Sequence, residues 1–167
     1  MPQKLYLSLF GLAFAFLIGL LIWHFQRISA SQASVVINNI EAPPLPTLNS
    51  EVISQGGTLY QQYCATCHGA NLAGAPDWKK PLPDGSLPPP PHDDTGHTWH
   101  HPDFLLLQII AEGGKPVYDG VMPGFGDQLA QEEMRAILEF LKSHWSPKSR
   151  EYQWWITNTY PTPTPSP

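Results

Sequence analysis

The longest apolar stretch comes first in the chain. Leu5 to Phe25 reads LYLSLFGLAFAFLIGLLIWHF, 21 residues without Asp, Glu, Lys or Arg. At about 1.5 Å per residue such a run crosses a hydrocarbon core of about 30 Å, which predicts a single transmembrane helix within an anchor segment 1–27. A cleaved signal peptide is the competing reading. Its apolar region normally covers only about 7–15 residues, although Ser31-Gln32-Ala33 would serve as a small-residue cleavage site. The length of the run favours an uncleaved anchor. Residues 28–49 lose the apolar pattern and are rich in Ser, Ala, Asn and Pro. They read as a flexible linker with a reach of about 25 Å.

Helical periodicity resumes in Glu51–Tyr63, with Asn49 or Ser50 as candidate cap. It is clearest in Glu132–Trp145, where Met134, Ile137, Leu138 and Leu141 recur at i, i+3, i+4 and i+7. A third helix opens at His101-Pro102-Asp103, carries Leu106, Ile109 and Ile110 on one face, and stops at Gly113-Gly114. Pro76–Pro91, with four consecutive prolines, reads as a rigid loop. Beyond Trp145 the segment 147–167, a Pro/Thr-rich C-terminal tail, continues through Tyr152, Trp154 and Trp155 to an end reading PTPTPSP, and that Pro/Thr end reads as disordered. Trp154-Trp155 could pack on the domain, on a membrane or on a partner, and the pattern does not choose. The predicted fold class is all-α: a helical domain over 50–146 behind one N-terminal transmembrane helix.

Charge narrows the function. From Ser34 onward seven Lys/Arg stand against fourteen Asp/Glu, a balance of −7. There is no basic stripe for nucleic acid, which excludes that partner class. The chain has two cysteines, so no disulfide framework is available to stabilise a core.

Both cysteines lie in Cys64-Ala65-Thr66-Cys67-His68. C-x-x-C-H is the attachment signature of c-type haem: two thiols at this spacing add across the vinyl groups, and the adjacent imidazole reaches the iron as proximal ligand. A redox dithiol would leave His68 unexplained and lacks a βαβ setting. A zinc site would need distant histidines to complete it. A structural disulfide also ignores His68.

A second axial ligand is expected, and three methionines compete. Met1 lies across the anchor and Met134 belongs to the apolar face of the last helix, as methionine usually does. Met122, in Val121-Met122-Pro123-Gly124-Phe125, sits in a Gly/Pro-rich loop that can present a side chain. Soft thioether sulfur favours Fe(II), and two filled axial positions suit electron transfer over ligand chemistry. His92 to His101 holds four of the seven histidines. Its plain reading is hydrogen bonding, with Trp99 Nε1 and one or more histidines on the haem propionates. The alternatives are a copper or zinc site from His92, His97, His100 or His101 with an Asp, or a histidine replacing Met122 on the iron.

From Gln55 to Trp145 the chain resembles class I cytochromes c. In that family a helix precedes the haem motif and crosses the C-terminal helix, with a small residue eight positions before the first Cys and an aromatic four before. Gly56 and Tyr60 match these positions, and Ile137 and Phe140 look like the residues that meet them. The run GHTWHH ahead of the Met loop resembles a group of small bacterial monohaem cytochromes. The resemblance implies the class I cytochrome c fold around one covalent haem c, with thioethers at Cys64 and Cys67 and axial His68 and Met122. It implies an electron carrier, not an enzyme, with redox-protein donor and acceptor or a larger respiratory or photosynthetic complex as partners. Haem attachment outside the cytoplasmic membrane sets the anchor N-in, C-out, at the periplasmic side. The alternatives are a haem enzyme or sensor with a displaceable distal ligand, and a copper-handling module using the histidine run.

Overall fold

The computed structural model describes residues 14–24, 33–118 and 120–160. Residues 14–24 are helical (α1). Part of the expected membrane segment, 5–13 and Phe25, lies outside the described residues. Among those described, no helix is long and apolar enough to cross a membrane.

The core is a crossing of two helices. α2 (Ser50–Tyr63) starts at Asn49, whose side-chain oxygen accepts from Glu51 N at 2.8 Å and Val52 N at 3.3 Å. This satisfies two of the backbone donors that a helix start leaves unpaired. α6 (Gln131–Ser143) buries Met134, Ile137, Leu138 and Leu141, the predicted stripe, and adds Ala136. Glu133 turns back to accept from Ala130 N at 2.8 Å. The two helices meet at Gly56, where a Cβ would overlap the carbonyl of Ala136. Glycine is required because backbone lies against backbone. Ile137 N is part of the same contact, and Phe140 packs on Gly57 and, at 5.3 Å between centroids, on Tyr60. Tyr60 is fully buried at the centre of this core.

α4 (Asp103–Glu112) adds Leu106 and Ile110 to the same core. Pro102 occupies its cap position. Gly113 ends it at φ +82°, hard against the Met122 carbonyl, where a side chain would find neither an allowed backbone nor space. The short α3 (Ala65–His68) follows α2, a 3-10 turn covers Thr98–His100, and α5 (Lys115–Tyr118) follows α4.

Two regions differ from the expectation. The segment read as a flexible linker contains an antiparallel hairpin, β1 (Ser34–Ile37) and β2 (Ile40–Pro44), so the fold is not all-α. Its turn, Asn38-Asn39, has φ of 52° and 62°, the left-handed pair that a two-residue hairpin loop needs. The segment read as a Pro/Thr-rich tail contains α7 (Pro147–Thr159), with Pro147 in its first turn and the Ser146 hydroxyl accepting from Ser149 N; the Pro/Thr end, 161–167, lies outside the described residues. The hairpin and α7 explain each other. A lone hairpin is marginal in water, but here Val35 and Ala42 are buried against Trp155 and Ile156. Trp154 Nε1 donates to Pro43 O at 2.8 Å and Trp155 Nε1 to Ile40 O at 3.1 Å. α7 is fixed in turn to α4 and α6 through Asp103, which pairs with Lys142 at 2.6 Å, accepts from Gln153, and donates its backbone N–H to Thr157 Oγ1 at 3.1 Å.

Candidate functional site: the Cys64–His68 turn and its surroundings

The end of α2 passes directly into the motif. Cys67 N and His68 N both donate to Cys64 O, at 3.2 and 3.0 Å, which winds the five residues into one tight turn. Gly69 breaks it at φ +81°, and its carbonyl accepts from the buried Tyr60 hydroxyl at 2.9 Å. The turn is therefore anchored to the helix crossing. Cys64 is half-buried, Cys67 is exposed, and neither is in a disulfide. Burial, and then the neighbouring Cys67, push the Cys64 thiol up to about 11. A thiol so placed stays protonated at neutral pH, which is the opposite of the low-pKa cysteine of a redox dithiol.

His68 is buried, and its Nδ1 lies 3.0 Å from Pro90 O. A carbonyl only accepts, so Nδ1 carries the proton and Nε2 keeps its lone pair. That is the arrangement by which a second partner orients a metal-binding imidazole. Burial lowers the His68 pKa, with the Pro90 hydrogen bond opposing. The imidazole is held neutral, as a ligand must be. The proline run accounts for the acceptor. Pro89 O takes Ala75 N at 2.9 Å and His92 N bonds Leu72 O at 2.8 Å, so the run is clamped along 72–75 with Pro90 O facing the imidazole. Sequence reasoning read this run as a loop without a role. Its only signal was stiffness, since a contact across 22 residues leaves no local trace.

Met122 is half-buried in the loop after α5. Its carbonyl accepts from Gly114 N, Phe125 N donates to Ile110 O and Gly126 N to Ala111 O, each at 2.9 Å. The loop is thus fastened to the end of α4. The Phe125 ring meets Tyr63, the residue before Cys64, at 5.9 Å, which brings the methionine loop beside the motif. Met134 is buried in the core. Met1 lies outside the described residues.

The histidine run divides, His97 and His101 meeting edge to face at 5.3 Å while His92 lies against the motif. His92 stacks on His68 at 4.1 Å and shares a 2.8 Å hydrogen bond with Thr98 Oγ1. His97 lies flat on Trp78 at 5.0 Å, while His100 meets Trp99 at 3.8 Å. Among the described residues, no three His, Cys, Asp or Glu are grouped so as to hold a metal ion. The copper or zinc site therefore does not assemble. Among the described residues, the buried side-chain nitrogens His97 Nδ1 and Trp99 Nε1 have no hydrogen-bond partner. An unsatisfied buried N–H costs about 1–3 kcal/mol, so it calls for an acceptor. Two clefts, of about 400 and 210 Å³, lie elsewhere, between the hairpin region and α7, and no motif residue lines them.

Residues 51–141 match the family described as cytochrome c oxidase, cbb3-type, subunit III. The chain belongs to this family. It is a class I c-type cytochrome, and covalently bound haem c is its cofactor. Among curated relatives, the cbb3-type cytochrome c oxidase subunit FixP of Sinorhizobium medicae (strain WSM419) is 26% identical over 123 residues, 71% of this chain and 37% of that protein. FixP of Rhizobium meliloti (strain 1021) is 27% identical over the same shares. This cytochrome thus aligns with little more than a third of the length of the curated relatives it matches. No solved structure matches it. The hairpin and α7 lie outside the family match. The residues present fit a haem: two thiols and a neutral, oriented imidazole in one turn, with the indole N–H of Trp99 in want of an acceptor such as a propionate.

Proposed function

We propose that this cytochrome is a membrane-anchored monohaem electron carrier, a one-electron subunit of a respiratory oxidase complex. Cys64 and Cys67 hold the haem by thioethers, His68 Nε2 is the proximal ligand, and Met122 is the distal one. The anchor in 1–27 keeps the haem domain at the periplasmic side of the membrane. The observation that carries the reading is the His68–Pro90 hydrogen bond, which leaves Nε2 available inside the attachment turn. The haem supplies a one-electron couple, and the chain's residues set the terms. Pro90 O fixes the imidazole and raises its basicity. Met122 fills the remaining position with soft sulfur, which favours the reduced state. Trp99 Nε1 supplies a donor for a propionate, and the Tyr60 core holds the turn rigid.

The test separates carrier from ligand-binding enzyme or sensor. The oxidised protein is expected to be low-spin with the weak near-infrared band of a sulfur–iron(III) bond, and the reduced protein to bind carbon monoxide slowly. Met122→Ala is expected to remove the band, lower the potential and make carbon monoxide binding fast, whereas Met134→Ala costs only about 2–5 kcal/mol of core stability. Rapid carbon monoxide binding by the wild type would sink the carrier reading.

A further inference from the structure

Pro90 O holds His68 by one edge, through the 3.0 Å bond from Nδ1. Donors approach a carbonyl over a broad range of directions, so this bond locates the edge of the imidazole and only loosely its plane. The face of the ring is met by a second imidazole. His92 stacks on it with centroids 4.1 Å apart and planes inclined by 30°. His92 is tied down at both main chain and ring. Its backbone N–H donates to Leu72 O and its carbonyl accepts from Trp145 Nε1, each at 2.8 Å. Its Nδ1 shares a 2.8 Å hydrogen bond with the hydroxyl of buried Thr98. Fully buried Tyr60 meets its ring edge-on at 6.4 Å, so the His92 ring lies between the helix crossing and the motif. Leucine would fill such a space without a polar nitrogen to satisfy, so a tethered imidazole here calls for a reason.

We propose that His92 is a positioning residue for the proximal ligand: its flat ring sets the plane of the His68 imidazole and keeps that plane the same in oxidised and reduced protein. The inference rests on the reading of His68 as axial ligand and adds a residue that acts through it. A planar ligand is fixed by a bond at its edge and a surface against its face. Pro90 supplies the first and His92 the second. The plane matters because the overlap of imidazole π orbitals with iron varies as the ring turns about the iron–Nε2 axis. A ring that turned with each change of oxidation state would add that motion to the barrier of every electron transfer. Support that holds the ring within about 10–20° removes it. Thr98 and Trp145 keep His92 in place, so the plane is set from the core and not from the flexible side chain itself.

The test compares His92→Phe with His92→Leu in the full-length holoprotein. Both lose the bond to Thr98 and both fill the site with an apolar side chain, but only Phe keeps a flat ring. The first readout is the proton NMR spectrum of the oxidised protein, in which the haem methyl shifts report the orientation of the axial imidazole. His92→Phe is expected to keep the wild-type order and spread of these shifts. His92→Leu is expected to reorder them or to compress the spread by about twofold, as the ring samples more orientations. Thr98→Val, which leaves the His92 ring in place but unties it, is expected to move the spread in the same direction. The second readout is one-electron oxidation of the reduced protein by ferricyanide, expected to slow by about three- to tenfold in His92→Leu and to stay within about twofold in His92→Phe. Methyl shifts that are the same in wild type and His92→Leu would overturn the proposal even if the variant unfolds more readily, since His92 would then only fill space. A His92→Phe spectrum altered as much as that of His92→Leu would overturn it too. If His92→Leu does not retain haem, Thr98→Val decides, and shifts equal to wild type overturn the proposal. Reduced wild type without the upfield ring-proton resonances of an axial histidine would instead overturn the reading of His68 as ligand.

Discussion

Gly56 and Gly57 are neighbours in one helix, yet a methyl group meets different obstacles at the two. At Gly56 it would strike the backbone of Ala136, which can yield only if α2 and α6 separate. At Gly57 it would come within 3.1 Å of the Phe140 ring, which can tilt away. Removing a helix glycine returns about 1 kcal/mol of propensity at either position. Gly57→Ala is therefore expected to be neutral within about 1 kcal/mol, and Gly56→Ala to lose about 1–3 kcal/mol net, read from urea unfolding of the holoprotein. A second residue-scale effect concerns pH. Burial pushes the pKa of both His97 and His101 below the ordinary histidine value; His100 and Lys79 then act on His97, and His97 and His100 on His101. Both stay neutral in the fold, while the unfolded chain takes up protons below about pH 6.5. Their contribution to stability is complete above that pH and is lost as pH falls toward the lowered folded values. Unfolding midpoints are expected to drop between about pH 7.5 and 5, and the double variant His97→Asn, His101→Asn to flatten that slope. An unchanged slope would place the acid sensitivity elsewhere.

Elements differ in how openly the sequence declares them. α2, α4 and α6 each bury apolar residues at helical spacing, and the Cys64–His68 turn is defined by its own five residues, so all four were legible. The loop position of Met122 was legible as well, since Met134 recurs with the stripe and Met122 does not. The hairpin was hidden by composition. Ile37-Asn38-Asn39-Ile40 is a turn signal between β-branched residues, but the surrounding Ser, Ala and Pro outweigh it. α7 was hidden because its inward face is partly polar: Ser149 and Gln153 are buried with Trp155 and Ile156. Gln153, 1% exposed, is tolerated there only because its amide donates to His101 O and Thr157 Oγ1 as well as to Asp103. No periodicity reports that kind of burial. The proline run fails to declare itself for a third reason: what matters is one carbonyl, and carbonyls are common to every residue type.

For the whole molecule, the hairpin and α7 change how far the haem domain can stray. A leash running to Asn49 would let it sample distant partners. With the hairpin clipped to α7, the described fold of the domain begins at Ser34, and only nine residues separate it from His24, the last described residue of α1. Whatever their conformation, nine residues span at most about 32 Å, where the stretch 28–49 fully extended would span about 79 Å. α7 is also in touch with the site, since Tyr152 lies 5.8 Å from the rings of both Trp99 and His100. With the proposed anchor in place, the cytochrome is thus held near the membrane as a fixed subunit is, not as a roaming shuttle. Trp155 is the residue to remove, being buried against Val35 and Ala42 and bonded to Ile40 O. Trp155→Ala is expected to cost the hairpin–α7 unit about 3–5 kcal/mol, more than a two-stranded hairpin can supply by itself. In membranes carrying the wild type, added protease is expected to cut before Ser34 and spare 34–44. In the variant new cuts are expected throughout 34–49, with the haem spectrum unchanged because the α2–α6 crossing is untouched. If wild type and variant are cut within the hairpin at the same rate, the clip is not formed in the membrane-bound protein and the longer leash applies.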